Sequence, residues 1–370
     1  MTIHSVSQKQ ANSSTSIFDS SYLPGLDGLR AVAILIVIAY HFGFDRVPGD
    51  LGVELFFVLS GFLITRQLLS EFSKSHTVDL GRFHHRRLLR IFPAYYVYLA
   101  FAFLEECARG YCWTPGLLAS GIGHVVNYYN AFNGHPNTVI AHAWALSLQE
   151  QFYILWPLVL MVLARRGDRW IVAGLTVSIF VVVLWRCALI GMIGIVPAYL
   201  YNAFDTRFDS IALGCLLAAL ARFPAATIRT KVLSRSPLMP MGTLAMLLMS
   251  RLYGSDSYHY SIGFTVDTFL LTLFVSQILL LDRHWMWAWL DHPVSRYVGK
   301  VSYSLYLWHL IGFGIANRIT NFPPVFQFGV AVLVCIAVAS ASYWLVERPF
   351  LRVKERLRLR PDGGRQGESR

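Results

Sequence analysis

An arginine and a histidine stand eleven residues apart in the first long apolar run of the chain, as Arg30 and His41. On an α-helix eleven residues make about three turns, so both side chains lie on one face, about 16 Å apart along the axis. An ionisable side chain inside a membrane-spanning helix is costly and by default marks a functional site. We therefore expect His41 to be buried in the first span as a functional residue. The alternative is a histidine that hydrogen-bonds to a neighbouring helix for packing.

Further charged or titratable residues lie at the edges of apolar runs. Arg87 and Arg90 are three residues apart, so on a helix they point to one side, where guanidinium groups suit phosphates. An ordinary cytoplasmic cluster of basic residues would give the same pattern. Arg207 and Asp209 open a later span, either as ligand contacts or as a structural ion pair. His309 is a second candidate in a span, although a packing role fits it equally well.

The composition indicates the class of protein that must position these residues. Of 370 residues, 55% are hydrophobic and only 14% are charged, against about a quarter charged in soluble domains. The apolar residues form repeated runs of spanning length, which predicts an all-α, polytopic integral membrane protein of about ten transmembrane helices. The formal net charge of +11 lies in alternate loops and at the C-terminus, as in membrane proteins, so no nucleic-acid partner is expected.

The pattern divides the chain into three parts: a flexible polar tail (1–22), one membrane domain (23–350) and a basic tail (351–370). The loop over 71–91 is strongly basic, which predicts that it lies in the cytoplasm. With the predicted number of spans, both termini then lie in the cytoplasm as well. The tail from Arg348 is expected to lie against anionic membrane lipids. The predicted spans are 29–44, 52–65, 92–106, 144–163, 171–190, 208–221, 239–252, 262–281, 301–316 and 325–346.

The cysteines do not suggest a metal site or a disulfide framework. The five cysteines show no CxxC pair and no spacing with histidine that is typical of a metal site, so no metal is predicted. Cys107 and Cys112 fall on the predicted outer side, where either a disulfide or two packed thiols is consistent with the sequence.

Seven short motifs, taken in order, resemble the membrane-bound acyltransferase-3 family of cell-envelope O-acyltransferases. The first comprises residues 26–33, and the second is the Arg30 and His41 pair with ten residues between them. The others are FFVLSGFLI at 56–64, RLLRIFP at 87–93, FYILWP at 152–157, YSLYLWH at 303–309 and VERPF at 346–350. The resemblance therefore extends over nearly the whole chain.

The resemblance implies a ten-helix domain that takes an acyl group from cytoplasmic acyl-CoA, most simply acetyl-CoA. It implies a carbohydrate or glycolipid acceptor on the far side of the bacterial inner membrane. Arg30 and His41 correspond to the family's functional pair, with His41 as general base or as the nucleophile of an acyl-imidazole relay. Arg87 and Arg90 correspond to its donor-binding residues.

The fourth span departs from the family pattern. Gln149 stands where the family has a glutamate, and the carboxylate follows one residue later, at Glu150. One residue rotates a helical side chain by about 100°, so either residue remains a candidate for the substrate contact. Glu150, Arg207, Asp209 and His309 are accordingly the predicted substrate-binding residues.

Taken together, the sequence predicts an inner-membrane O-acyltransferase that modifies an envelope or exported glycan. The alternative is a transporter or flippase of a lipid-linked glycan or small anion, because buried arginine and histidine also fit a substrate path. The sequence shows no pair of interrupted spans in corresponding positions of two halves, which transporters often have.

Overall fold

The computed structural model describes residues 23, 25–223, 236–281, 284–319 and 323–358, and within these it contains helices and no strands. The helices are α1 (Leu26–His41), α2 (Gly49–Ser75), α3 (Leu80–Ala108), α4 (Pro115–Ile122), α5 (Val126–Phe132), α6 (Trp144–Arg166), α7 (Asp168–Ile193), α8 (Pro197–Asn202), α9 (Phe204–Arg207), α10 (Asp209–Leu220), α11 (Met239–Tyr253), α12 (Asp256–Leu280), α13 (Pro293–Lys300), α14 (Ser302–Ile319), α15 (Pro324–Ser342) and α16 (Arg348–Arg358).

The all-helical prediction is confirmed, but the count of ten spans is not. In the described part of the chain, six segments are long and apolar enough to cross a bilayer. Other predicted spans are helices that fall short of this length: α1 has 16 residues and α10 has 12. At 1.5 Å per residue α1 is about 24 Å long, against a hydrocarbon core of about 30 Å. The six segments are Gly49–Ser75, Leu80–Ala108, Ala141–Arg166, Asp168–Ile193, Asp256–Leu280 and Val325–Val353.

The predicted basic loop over 71–91 is largely helical, which corrects the sequence-based boundary. Helix α2 continues to Ser75, where His76 adopts a left-handed conformation with φ of 53° and ends the helix. Asp79 then accepts a hydrogen bond from the backbone N–H of Arg82 at 2.8 Å and caps α3. Only a short turn therefore separates the two helices, and most of the basic residues lie on helical faces.

Helix α2 lies at the centre of the bundle, packed against α1, α6, α10 and α12. Its closest neighbour is α10, and the two cross at a pair of glycines. A Cβ on Gly61 would lie 2.1 Å from the carbonyl oxygen of Ile211, and one on Gly214 would lie 2.1 Å from that of Val58. Only glycine permits this approach of two backbones, a device common between membrane helices. Gly61, which belongs to the 56–64 motif, thus allows α2 and α10 to pack closely.

The stretch 109–142, in which no span is predicted, turns back into the bundle. Helices α4 and α5 form a hairpin whose tip lies beside the middle of α3, where Tyr95 donates to the carbonyl of Gly121 at 2.8 Å. Tyr96 donates to the carbonyl of Ile122 at 2.9 Å. From α6, Gln151 exchanges two amide hydrogen bonds with Asn127, at 2.9 and 3.1 Å. The backbone carbonyls at the tip of the hairpin, which leave the helical hydrogen-bond pattern, thus find hydrogen-bond donors inside the protein.

Of the two predicted tails, the structure describes only the first part of the C-terminal one. The tail over 1–22 and the final residues 359–370 lie outside the described residues, as do the basic residues of 224–235 and Arg283. Within the predicted tail over 351–370, the chain stays helical as far as Arg358. Cys107 and Cys112 are both free thiols, so the disulfide alternative is wrong for this structure.

Candidate active site

Successive helices run in opposite directions, so the bundle has one end near Arg30 and another near His41, called here the Arg30 end and the His41 end. A cavity lies toward the Arg30 end of the bundle. It is enclosed by α1, α2, α3, α6 and α14, which carry every motif named above except the one at 346–350. Its polar lining comprises Arg30, Ser60, Arg87, Arg90, Gln149, Tyr153, Ser302, Tyr303 and Tyr306.

The cavity is positively charged. Three of its lining side chains are guanidinium groups, and no lining residue is a carboxylate. Arg30 has an ion pair with Asp27 at 3.1 Å. Arg87 and Arg90 have no ion pair within the described residues, and Arg87 instead lies over the ring of Tyr153, 4.5 Å from its centroid. Both arginines line the same cavity, so the predicted shared side is confirmed, and the site suits a ligand with several negative charges.

Gln149 and Glu150 lie in different environments, because successive side chains on an α-helix point in directions about 100° apart. Gln149 lines the cavity and donates from its amide to the hydroxyl of Ser60 at 2.7 Å. Glu150 does not line the cavity and is buried, and its Oε1 atom has no hydrogen-bond partner among the described residues. At the position where the family has a glutamate, an amide therefore faces the cavity.

His41 lies at a different depth from the one expected. It is the last residue of α1 and its side chain is exposed, so the prediction of a histidine buried in the span is wrong. The helix ends there because the chain turns at Gly43, whose φ of 108° is easily adopted only by glycine. The Nδ1–H of His41 donates to the carbonyl of Val37 at 3.0 Å, which leaves the Nε2 lone pair available to take a proton.

Three histidines from distant parts of the chain meet at this position. The ring centroid of His41 lies 4.9 Å from that of His309, which in turn lies 5.1 Å from that of His142. His309 is fully buried, and its Nδ1–H donates to the carbonyl of Tyr306 at 2.8 Å. Its Nε2 atom has no hydrogen-bond partner among the described residues. His309 was expected to be buried, and this is confirmed.

Tyr306 separates this histidine cluster from the cavity. Its side chain lines the cavity, and its ring centroid lies 5.3 Å from that of His142 and 6.0 Å from that of His309. Its hydroxyl donates a short hydrogen bond to the carbonyl oxygen of His142. The arginine-lined cavity and the histidine cluster thus lie on two sides of one aromatic residue.

Arg207 and Asp209 are fully buried, each in a separate ion pair. Arg207 is paired with Glu54 at 3.0 Å, and Asp209 is paired with Arg186 at 3.0 Å. The guanidinium of Arg207 also lies 3.7 Å from the ring centroid of Phe264. These contacts join α2, α7 and α12 to the α9–α10 segment. The alternative of a single ion pair at a helix N-terminus is therefore wrong, because each of the two residues is paired with a residue of another helix. A direct contact with substrate remains a prediction.

Several charged residues of the His41 end were missed by sequence reasoning. Arg186 interrupts the apolar run of α7, a signal of the same kind as His41, and it makes the buried pair with Asp209. Arg251 pairs with Asp50 and Asp267, each at 2.7 Å. Only the fold brings these residues together, because their partners lie on other helices.

The last two motifs fix α14 in place. Ser304 donates a short hydrogen bond to Glu347, and the indole of Trp308 donates to Ser342 at 3.0 Å. Tyr303 donates to the carbonyl of Ile91 at 2.8 Å and joins the same helix to α3. These contacts position Tyr306 and His309, which lie on α14 between the cavity and His41.

Comparison with known proteins agrees with this geometry. The model of the acyltransferase-3 family, described as an acyltransferase domain, matches residues 23–345. The chain is 31% identical over 358 residues to O-acetyltransferase OatA of Staphylococcus aureus (strain NCTC 8325 / PS 47), covering 90% of this chain and 58% of that protein. It is also 31% identical over 350 residues to the putative O-acetyltransferase SACOL0978 of Staphylococcus aureus (strain COL), covering 89% and 57%.

The chain therefore spans a little under three fifths of the length of these curated relatives. No solved structure matches it. Because the family model covers residues 23–345, from just before α1 to beyond the end of α15, we conclude that this chain belongs to the acyltransferase-3 family.

Proposed function

We propose that the protein is a membrane O-acetyltransferase that takes the acyl group from cytoplasmic acetyl-CoA and delivers it to a hydroxyl of an envelope or exported glycan or glycolipid. The observation that carries this proposal is the arrangement around Tyr306: a cationic cavity on one side and three imidazoles on the other. One side suits a polyanionic donor, and the other suits the removal of a proton from an acceptor.

Arg87 and Arg90 would bind the phosphates of coenzyme A. A guanidinium that makes no ion pair can donate two parallel N–H hydrogen bonds to one phosphate. Arg30 lies in the same cavity and already has Asp27 as a partner, so its position is more fixed. It would contact the donor closer to the thioester, where a cation stabilises the developing oxyanion.

His41 would act at the far end of the same α-helix as Arg30. With Nδ1–H donating to Val37, its Nε2 atom can take the proton of the acceptor hydroxyl. The exposed position of His41 suits an acceptor that arrives from outside the bundle. An acyl-imidazole intermediate on Nε2 uses the same lone pair, so the geometry supports both mechanisms.

The names of the relatives favour acetyl as the acyl group, since both refer to O-acetyltransferases. A carbohydrate acceptor comes from the resemblance of the motifs to cell-envelope acyltransferases. Membership of an acyltransferase family counts against the transporter alternative. The proposed location is the bacterial inner membrane, with the Arg30 end and both termini on the cytoplasmic side.

The donor site can be tested with two double variants that remove the same charge from the same helix. Arg87→Gln/Arg90→Gln removes the unpaired arginines of the cavity, and Arg82→Gln/Arg86→Gln is the matched control. In the control, Arg86 is paired with Glu71 at 3.5 Å and Arg82 with Asp79 at 3.5 Å, outside the cavity. The affinity of each purified protein for radiolabelled acetyl-CoA is measured in detergent.

We expect the cavity variant to bind acetyl-CoA at least about 100-fold more weakly, because hydrogen bonds to charged groups contribute about 1.5–3 kcal/mol each and both arginines are removed. The control should bind within about twofold of the unaltered protein. Equal losses in the two variants would mean that these arginines serve only membrane orientation. Failure of the unaltered protein to bind acetyl-CoA would refute the proposed donor.

A further inference from the structure

The charge of the cavity lies on the side that faces away from His41. This inference rests on the proposed acetyl transfer and concerns which acyl groups the protein accepts. Helices α1, α3 and α14 run toward the His41 end, whereas α2 and α6 begin there. Arg30 lies eleven residues before His41, and Arg87 and Arg90 lie in the first half of α3. All three guanidinium groups therefore lie on the side of the cavity away from His41.

The opposite side of the cavity, called here the inner end, is apolar. On α2 the lining extends from Leu63 back to Val53, which is ten residues, or about 15 Å, closer to the His41 end. On α6 it begins with Ala145 in the first turn, and on α14 it ends with Tyr306, three residues before His309. The inner end is accordingly lined by side chains without charge: Val53, Phe56, Phe57, Ala145, Leu146 and Tyr306. A short apolar group fits this lining better than a charged one.

The reacting carbon of the donor belongs at this inner end. The acceptor oxygen must bond to the acyl carbon while that carbon is still bonded to sulfur, so the two substrates meet at one point. In the proposed function, the phosphates of the donor bind on the arginine side and the acceptor arrives from the His41 end. The acyl carbon then lies at the side of the cavity nearest His41, and the rest of the acyl group lies against the residues of the inner end.

Tyr306 closes the inner end toward the histidine cluster, and its ring is held on several sides. The ring centroid lies 6.5 Å from that of Phe56, 5.3 Å from that of His142 and 6.0 Å from that of His309. The hydroxyl donates to the carbonyl oxygen of His142, and only 6% of the residue is exposed. Because the hydroxyl is occupied, the ring is left to line the cavity. A ring packed in this way cannot give way to a longer acyl chain without losing these contacts.

We propose that Tyr306 determines the length of the acyl group that the protein transfers. Its ring ends the space for the acyl chain, so that an acetyl group fits the inner end and a longer chain meets the ring. One methylene group in a hydrophobic pocket changes kcat/KM by about 10- to 200-fold. Tyr306 is thus a specificity-determining residue of the donor site that acts through the volume of its ring and takes no part in proton transfer.

The test compares three variants of the full chain. Tyr306→Leu shortens the side chain that closes the inner end, and Tyr306→Phe keeps the ring and removes only the hydroxyl. Tyr303→Leu is the matched control, because Tyr303 lines the same cavity one turn earlier on α14, where it donates to the carbonyl of Ile91 at 2.8 Å. Membrane vesicles with the cytoplasmic face outward receive acetyl-, propionyl- or butyryl-CoA labelled in the acyl group. The label that enters the membrane-bound acceptor gives kcat/KM for each donor, and the affinity for unacylated coenzyme A is measured on each purified protein.

We expect the unaltered protein to use acetyl-CoA at least about 10-fold more efficiently than propionyl-CoA, and butyryl-CoA least efficiently. Tyr306→Leu should raise the ratio of butyryl to acetyl transfer at least about 10-fold, because the space that the ring occupied becomes available to the longer chain. Tyr306→Phe and Tyr303→Leu should leave this ratio within about twofold, whatever their effect on the rate. A general loss of stability or activity lowers both rates together and so does not change the ratio.

An unchanged ratio in Tyr306→Leu, or an equal change in Tyr303→Leu, would overturn the proposal. If Tyr306→Leu fails to bind coenzyme A, the variant is misfolded, and Tyr306→Met decides by the same ratio, because an unbranched side chain repacks more easily. Failure of the unaltered protein to bind acetyl-CoA would defeat the proposed function itself. Transfer of all three acyl groups by the unaltered protein at similar rates would defeat only the role of Tyr306.

Discussion

The arginines at the two ends of the bundle differ in what surrounds them. At the Arg30 end, Arg87 and Arg90 line the cavity and make no ion pair within the described residues, although the buried carboxylate of Glu150 lies near Arg87. At the His41 end, Arg186 and Arg207 are fully buried, each within 3.0 Å of a carboxylate, and Arg251 is paired as well. Sequence alone gives no sign of this difference, because each arginine simply adjoins or interrupts an apolar run.

The difference indicates two uses of the same side chain. A buried charge is tolerated only when it is paired, and removing one partner leaves the other uncompensated. The paired arginines therefore hold helices together and have no charge left for a ligand. An arginine without a partner persists only where solvent or a ligand reaches it. We therefore expect substitutions at the His41 end ion pairs to change stability and those in the cavity to change donor affinity.

The largest effect on activity is expected for His41→Ala, which tests whether chemistry and donor binding belong to different ends. Loss of a general base should lower acetyl transfer by at least about 100-fold. Because His41 does not line the cavity, acetyl-CoA affinity should stay within about twofold. Transfer into membrane-bound acceptor and binding of labelled donor are measured on the same preparation. Transfer at the normal rate would remove His41 from the mechanism.

The largest effect on stability is expected for Arg186→Met. The guanidinium pairs with Asp209 and also donates to the carbonyls of Thr206 and Ser261, each at 2.8 Å. Its removal leaves a buried carboxylate alone and should cost about 3–5 kcal/mol. Unfolding in detergent micelles measures this loss.

A second variant separates the charge from the packing at this position. Arg186→Met/Asp209→Leu removes both charges and should recover most of the lost stability. As a control, Arg86→Met breaks the partly exposed pair with Glu71 and should cost less than about 1 kcal/mol. A double variant as unstable as the single one would show that the backbone contacts of Arg186, and not the ion pair, carry its role.

A smaller effect is expected for Arg30→Lys, which keeps the charge of the cavity and removes the planar fork of the guanidinium. If Arg30 contacts both Asp27 and the donor, acetyl-CoA affinity should fall about tenfold, or about 1.4 kcal/mol, because lysine cannot make both contacts in one plane. Arg46→Lys, in the exposed turn after α1, is the control and should have no effect. Equal affinities for the two variants would mean that only charge matters at position 30.

The smallest effect is expected for Gln149→Glu, which restores the carboxylate of the family pattern. The two side chains have the same shape, and the hydroxyl of Ser60 can reverse its bond and donate to a carboxylate. Three guanidinium groups line the cavity, so their positive charge can balance the carboxylate that the substitution introduces. We expect donor affinity and transfer rate within about threefold of the unaltered protein. A change above tenfold in either would show that the charge at position 149 controls the reaction.

Much of the donor side could be predicted from sequence because its residues are close in sequence or fixed by helical spacing. Arg87 and Arg90 share a face on any helix, and this sharing is what brings both to the cavity. The separation of Gln149 and Glu150 by about 100° likewise follows from the helix itself.

The His41 end could not be predicted in the same way. The pair of Glu54 and Arg207 joins residues 153 positions apart, and the contact of His41 with His309 depends on how α14 packs. The exposure of His41 was missed because apolar residues continue beyond it, whereas Gly43 ends the helix. The hairpin of α4 and α5 was missed because both helices are too short to give a clear periodic signal.

The bond between the hydroxyl of Tyr306 and the carbonyl of His142 has a consequence for the order of substrate binding. His142 belongs to the turn at the His41 end that immediately precedes α6, whereas Tyr306 lines the cavity at the other end. A ligand that displaces this turn withdraws the partner of the tyrosine and so alters the inner wall of the cavity. Binding of one substrate would then change the affinity for the other through a single hydrogen bond. The measured affinity for acetyl-CoA should consequently change when a saturating, unreactive analogue of the acceptor is present.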